Sequence, residues 1–209
     1  MIKINLALQG GGAHGAFTWG VLDRILEDDD IHISAISGTS AGALNAAALK
    51  SGMVKDGREG AREALAWVWG KVGAAPQDAF THWLNMWSPS TQVLADALEK
   101  SPGFAAIDML QRMMSPYVYG PLLRNPLEGI LNQLDFATVC HGSGPEIHIC
   151  ATNVRSGKIR VFAGKDITPE AIMASACLPT VFQAVEIFDP KTGQTEAYWD
   201  GGYTGNPAL

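Results

Sequence analysis

Three glycine-flanked groups in this chain have residue types and spacing suited to nucleophilic chemistry. Gly38-Thr-Ser40-Ala-Gly42 sets a serine two residues from a glycine on either side. A serine nucleophile at a strand-to-helix turn adopts a strained backbone and lifts its hydroxyl above the sheet edge. Glycines at those two positions leave room for the neighbouring strand and helix. The helix that follows would aim its N-terminal amides at the same spot and favour negative charge there. The same residues also fit an ordinary glycine turn with a helix-capping serine. The motif by itself recurs by chance; its place between a strand and a helix favours the nucleophile.

Gly10-Gly11-Gly12-Ala13-His14-Gly15 satisfies Gly-x-Gly-x-x-Gly after a strand and before a helix. Such a loop can cradle a dinucleotide pyrophosphate. Its amides can instead form an oxyanion hole for a tetrahedral acyl intermediate. Or it serves close packing alone. Asp28, Asp29 and Asp30 stand near the distance expected of a ribose-binding acid. That acid should end the second strand, however, and these precede it. The third group, Asp200-Gly201-Gly202, follows a strand. Alone it reads best as a plain turn. No histidine follows Asp200, so the order serine, acid, histidine is unavailable within these residues. His14 and His32 precede Ser40, and His82, His141 and His148 lie between Ser40 and Asp200.

These groups need elements to hold them. Ile2 to Leu8 is an apolar run ending at glycine, as a buried parallel strand does. Phe17, Val21, Leu22, Ile25 and Leu26 recur at helical spacing, and the acidic run ends that helix. Ile31 to Ser37 reads as a second strand and Ala43 to Leu49 as a helix of small residues, with Ser51-Gly52 as its stop. This βαβα opening predicts an α/β fold around a parallel sheet. Residues 61–72 read as a helix. Glu146 to Val154 and Ile159 to Phe162 form a hairpin through Ser156-Gly157. Thr168-Pro169 opens a helix over Glu170 to Ala176. Val181 to Phe188 and Glu196 to Trp199 flank a turn at Asp189–Gly193.

The 209 residues, 47% of them hydrophobic, suffice for one core, so a single domain over 1–209 is expected. A net charge of −6 argues against a nucleic-acid surface and against electrostatic docking on anionic lipid. Cys140, Cys150 and Cys177 form no metal or redox spacing and fit a reducing compartment. Met1 to Leu8 reads as a strand and not a signal peptide, so the expected location is the cytoplasm, with any membrane contact peripheral and apolar. Phe80, Trp83, Met86 and Trp87, with Met109, Met113, Met114, Tyr117 and Tyr119, suit a lipid-contacting cap within 73–135. They suit core packing or a dimer contact somewhat better, since aromatic stripes at helical spacing usually just pack.

Taken together and in this order, the groups resemble the patatin-like phospholipase family. The resemblance rests on Gln9-Gly-Gly-Gly-Ala-His-Gly15, on Gly38-Thr-Ser-Ala-Gly42, on Ala174-Ser-Ala-Cys-Leu-Pro179 with Phe182, and on Asp200-Gly-Gly202 followed by Asn206-Pro207. It covers both ends of the chain and leaves the middle undiagnosed. It implies a three-layer α/β/α sandwich with a mostly parallel central sheet. It implies a Ser–Asp dyad: Ser40 as nucleophile, Asp200 as proton acceptor, and the amides of Gly10, Gly11 and Gly12 as oxyanion hole. Gly15, Gly38, Gly42, Gly201 and Gly202 then support the motifs. His14 stands where many members carry Arg or Lys, which removes a permanent cation from the loop. The chain ends at Leu209, sooner after its aspartate motif than members do, so a domain lacking its C-terminal part is expected.

The implied function is hydrolysis of carboxylic esters of phospholipids or related lipids, without metal or organic cofactor. An acyltransferase would use the same acyl-enzyme. A non-catalytic binding or regulatory protein on the same fold is the alternative from another class, and a dinucleotide-binding protein ranks below it.

Overall fold

Apolar runs that stop at glycine become strands, and the small-residue runs after them become helices. The computed structural model describes residues 1–74, 116–119, 125–190 and 192–208. Of the residues suited to a cap, Phe80, Trp83, Met86, Trp87, Met109, Met113 and Met114 lie outside those described. The elements are β1 (Ile2–Leu8), α1 (Gly15–Leu26), β2 (Ile31–Thr39), α2 (Ala41–Ala74), α3 (Pro116–Tyr119), α4 (Pro126–Leu131), α5 (Phe136–Val139), β3 (Glu146–Asn153), β4 (Ile159–Ala163), α6 (Pro169–Ser175), β5 (Val185–Asp189) and β6 (Gln194–Asp200). Among the described residues no helix is long and apolar enough to cross a membrane.

The strands form one mixed sheet in the order β1-β2-β3-β6-β5, with β4 also on β3. β1, β2 and β3 run parallel; β4 and β6 run antiparallel to β3, and β5 antiparallel to β6. This is the expected α/β class, consistent with the three-layer α/β/α sandwich. In β3, His148 pairs with Ser37 of β2 and Ala163 of β4, while Ala151 pairs with Asp200 of β6 and Arg160 of β4. A strand residue has one neighbour on each edge. β2 and β6 therefore share the edge of β3 opposite β4. β2 arrives at Thr39 beside Cys150, and β6 arrives from the other direction at Asp200 beside Ala151. The two strands meet head-on.

β1 departs from its expected burial. It is the outer strand of the described sheet, Ile2 is 63% exposed, and only Leu8 is fully buried. The apolar run reported strand propensity; its position at the edge was set by pairing. α2 is buried nearly all round from Ala41 to Gly52. Its start touches the end of β1, and no side chain fits at that point: a Cβ on Gly42 would collide with the Leu8 carbonyl. Ser51-Gly52 is not the expected stop. The helical run continues to a break at Asp56–Gly57, where Gly57 has φ 59°. Gly52 and Gly60 instead let the two halves cross in contact, since a Cβ on either would strike the other's backbone. β5 likewise starts later than expected. The amides of Val181 and Phe182 both bond to the Leu178 carbonyl, at 3.0 and 2.9 Å, and form a turn that buries Phe182.

Close approach at Gly42 makes a sharp expectation. Gly42→Ala should cost about 3 kcal/mol or more, because the new methyl meets backbone that cannot move aside. Gly129→Ala in α4 meets nothing within 4 Å and should gain about 0.5–1 kcal/mol. Urea denaturation of both variants checks the pair; equal midpoints would refute the packing of α2 on β1.

Candidate active site

Ser40 joins β2 to α2 with φ 55°, the one non-glycine positive φ among the described residues. Such a backbone costs about 1–3 kcal/mol and persists only where its surroundings hold it. The Ser40 amide donates to Ser175 Oγ at 2.9 Å. Ser175 Oγ in turn donates to the Cys150 carbonyl at 2.6 Å. The Ser40 carbonyl accepts from Ala43 and Leu44 at 2.9 and 3.2 Å, which starts α2. Space is as tight as the bonding. A Cβ on Gly38 would lie 2.6 Å from the Gly42 carbonyl oxygen. Ser40 is therefore pinned between the end of α6, the edge of β3 and the first turn of α2.

Asp200 ends β6 and is fully buried. Its amide donates to the Cys177 carbonyl at 2.7 Å, and its carbonyl accepts from Thr152 Oγ1 at 2.8 Å. Carboxylate oxygen Oδ1 accepts from the Gly202 amide at 2.7 Å. Gly201 allows this turn, since a Cβ there would run into the Cys150 carbonyl. Oδ2 has no hydrogen-bond partner, and neither has Ser40 Oγ; both are buried. Burial pushes the Asp200 pKa up to about 6, while the Gly202 amide and then the Ser40 hydroxyl pull it back. The Ser40 hydroxyl thus reaches the field of the carboxylate without the geometry of a good hydrogen bond.

The glycine loop lies against the same elbow. A Cβ on Gly10 would come within 2.7 Å of Ser40 Cβ and 2.9 Å of the Thr39 carbonyl oxygen. The Gly10 amide is engaged, however: it donates to Asn206 Oδ1 at 2.6 Å. This corrects the expectation that all three amides face an oxyanion. Gly11 and Gly12 have φ 149° and 55°, values that suit glycine, and their amides donate to no described group. His14 Nδ1 sits 3.0 Å from the Gly11 carbonyl oxygen, so the ring braces the loop from within. At the far end Gly15 packs under the Trp69 ring, and its carbonyl accepts from Asn45 Nδ2 at 3.0 Å. Trp69 Nε1 donates to Asn45 Oδ1 at 2.7 Å, which completes a buried chain.

The fold thus brings together Ser40, Asp200 and Gly10, which sequence analysis singled out. It adds Ser175, Asn206 and Asn45, to which sequence analysis assigned no role. Ser175 and Asn206 stand inside motifs already quoted; nothing in the string marks Asn45. Among the described residues no histidine contacts Ser40 Oγ or Asp200. His148 approaches Glu146 at 3.9 Å, and His141 contacts Ser143. His82 lies outside the described residues. Cys177 is no rival nucleophile, since burial and the neighbouring Asp200 charge push its thiol up to about 12. No cluster of metal-ligating side chains occurs among the described residues. The dinucleotide reading fails on distance. Asp28–Asp30 lie at the start of β2, where Ile31 pairs with Ile2, whereas the glycine loop follows Leu8, seven residues along. At ~3.3 Å per residue the acids are about 20 Å away, beyond a ribose bound at the loop.

The family model for patatin-like phospholipase matches residues 6–209. A search of curated proteins finds no match. Among solved structures, the crystal structure of VipD from Legionella pneumophila is similar at 17% identity and TM-score 0.45, over 97% of this chain and 46% of that one. The chain thus spans less than half of VipD.

Two outcomes follow from the burial of these groups. Asp200 holds its proton more tightly folded than unfolded, so its contribution to stability is full below pH ~4 and is lost as pH rises through about 6. Asp200→Asn removes that loss. Its melting temperature should exceed that of the parent above pH 6, by an amount worth about 2–3 kcal/mol, and the gap should close toward pH 4. A gap independent of pH would contradict the raised pKa. Ser175→Ala leaves the Ser40 amide and the Cys150 carbonyl buried without partners. It should cost about 2–4 kcal/mol by denaturant titration, where a surface serine costs almost nothing.

Proposed function

The chain belongs to the patatin-like phospholipase family, and from that premise we propose that it hydrolyses carboxylic esters of lipids through a serine acyl-enzyme. The observation that carries the reading is the pairing of a strained serine with a buried carboxylate whose pKa is lifted to about 6. An aspartate at the ordinary value near 3.8 is a poor base at neutral pH. At about 6 it is still ionised at pH 7 and takes a proton more readily.

Ser40 Oγ attacks the acyl carbonyl as its proton passes to Asp200 Oδ2. The carbonyl oxygen becomes an oxyanion, and the Gly11 and Gly12 amides stabilise it with the field at the start of α2. The tetrahedral intermediate collapses, and the leaving alcohol takes the proton from Asp200. Water then adds to the acyl-enzyme, losing its proton to Asp200. That second intermediate expels Ser40, which regains the proton, and the fatty acid departs. No step draws on a histidine, a metal or an organic cofactor. A lipid ester is the proposed substrate, met by peripheral contact with its membrane or micelle.

The test is labelling with a fluorescent alkyl phosphonate and turnover of a nitrophenyl ester. Ser40→Ala should lose the label and several orders of magnitude in kcat/KM, and Asp200→Asn nearly as much. The double variant should lose little more, since the two act as one unit. In the parent, kcat/KM should fall about tenfold per pH unit below about 6, as Asp200 takes up its proton, and level off above. A flat profile from pH 5 to 8 with an active Asp200→Asn would remove Asp200 from the reaction.

A further inference from the structure

We propose that Asn206 is a positioning residue of the oxyanion loop, holding Gly10 by its amide so that the Gly11 and Gly12 amides are the two free donors. This role rests on the acyl hydrolase reading above. It begins from a bond of long reach: the Gly10 amide and Asn206 Oδ1 are 196 residues apart in sequence and 2.6 Å apart in space. Gly10 is the point where three segments converge. Its Cβ position lies 2.7 Å from Ser40 Cβ, 2.9 Å from the Thr39 carbonyl oxygen and 3.4 Å from Asn206 Oδ1. No side chain fits there, so the backbone amide is the handle by which the loop can be held.

Asn206 can act as a holder because its own segment is tied down. Thr39 Oγ1 donates to the Gly205 carbonyl at 3.0 Å, and Ser37 Oγ to the Ala208 carbonyl at 2.6 Å. Thr204 Oγ1 meets Thr152 Oγ1 at 2.9 Å. These bonds fasten the segment to β2 and β3, the strands that deliver Ser40 and flank Asp200. The far end of the loop is held by Asn45 Nδ2 on the Gly15 carbonyl. One carboxamide thus takes the loop's first N–H as acceptor, and another takes its last carbonyl as donor. Between them, Gly11 and Gly12 keep positive φ and unclaimed amides. An N–H already bonded to a carboxamide oxygen is not available to an oxyanion. Asn206 therefore acts through Gly10 and need not touch substrate.

Loss of this hold should misplace the donors in the transition state more than in the bound ester. Asn206→Ala should lower kcat about 10–100-fold with KM within about twofold, counted per phosphonate-labelled site. Partial unfolding reduces the number of labelled sites but not turnover at each, so a purely structural role predicts no change in that quantity. The rise of kcat/KM near pH 6 should keep its midpoint, because Asp200 is untouched. Turnover per labelled site within about twofold of the parent would overturn the proposal. If the variant does not fold, site-resolved amide exchange by NMR on the parent decides. Forming the phosphonate adduct should slow exchange at Gly11 and Gly12 and leave Gly10 unchanged. Slowing at Gly10 alone would overturn the proposal. A parent protein that neither takes label at Ser40 nor turns over any ester would overturn the hydrolase reading and this role together. An active, labelled parent with either adverse result overturns the role of Asn206 alone.

Discussion

Thr39 and Asp200 pair with neighbouring residues of β3, Cys150 and Ala151, and they come from opposite directions along one edge. Every other feature of the site depends on that meeting. A parallel strand and an antiparallel strand cannot share one edge of β3 at the same height, so each ends where the other begins. The chain must turn sharply away at both ends. On one side the turn is Ser40 at φ 55°, and on the other it is Asp200-Gly201-Gly202. Ser40 and the Asp200 carboxylate come together because two strands collide, and the glycines around them are the residues that survive the crowding.

The same crowding explains the electrostatics. Asp200 is sealed by β3, α6 and its own turn, and its carboxylate has lost water on all sides. One oxygen is compensated by the Gly202 amide; the other has no partner, and the Ser40 hydroxyl lies within the field of the carboxylate. A raised pKa is the consequence, and so is a destabilised neutral-pH fold. Strain at Ser40 and desolvation at Asp200 are costs that the core must offset. It does so locally: Ser175 satisfies the Ser40 amide and the Cys150 carbonyl with a single hydroxyl. These unfavourable states are imposed by bonded, buried neighbours.

Much of this was legible in the string. Glycine spacing around Ser40 reports a turn where no side chain fits, and the strands and helices on either side follow from apolar periodicity. Other elements misled for physical reasons. Ile2 to Leu8 looked buried because strand propensity and burial share residue types, yet pairing put it at the edge. Ser51-Gly52 looked like a helix stop because a glycine ending a helix and a glycine admitting a neighbouring helix are the same letter. Only the crossing with Gly60 separates them.

What the sequence by itself determined is the set of local conformations: where the chain must turn, where glycine is obligatory, and which serine and aspartate stand at turns. These are short-range properties, decided by sterics within a few residues. Tertiary structure alone decided which turns meet. The 159 residues between Ser40 and Asp200 contain nothing local that brings them together; the shared edge of β3 does. Tertiary structure also decided that Gly10 spends its amide on Asn206, and that Asn45 and Ser175 hold the loop and the elbow. A hydrogen bond between distant segments leaves no periodicity in either one, and a pKa raised by burial exists only once the burial does.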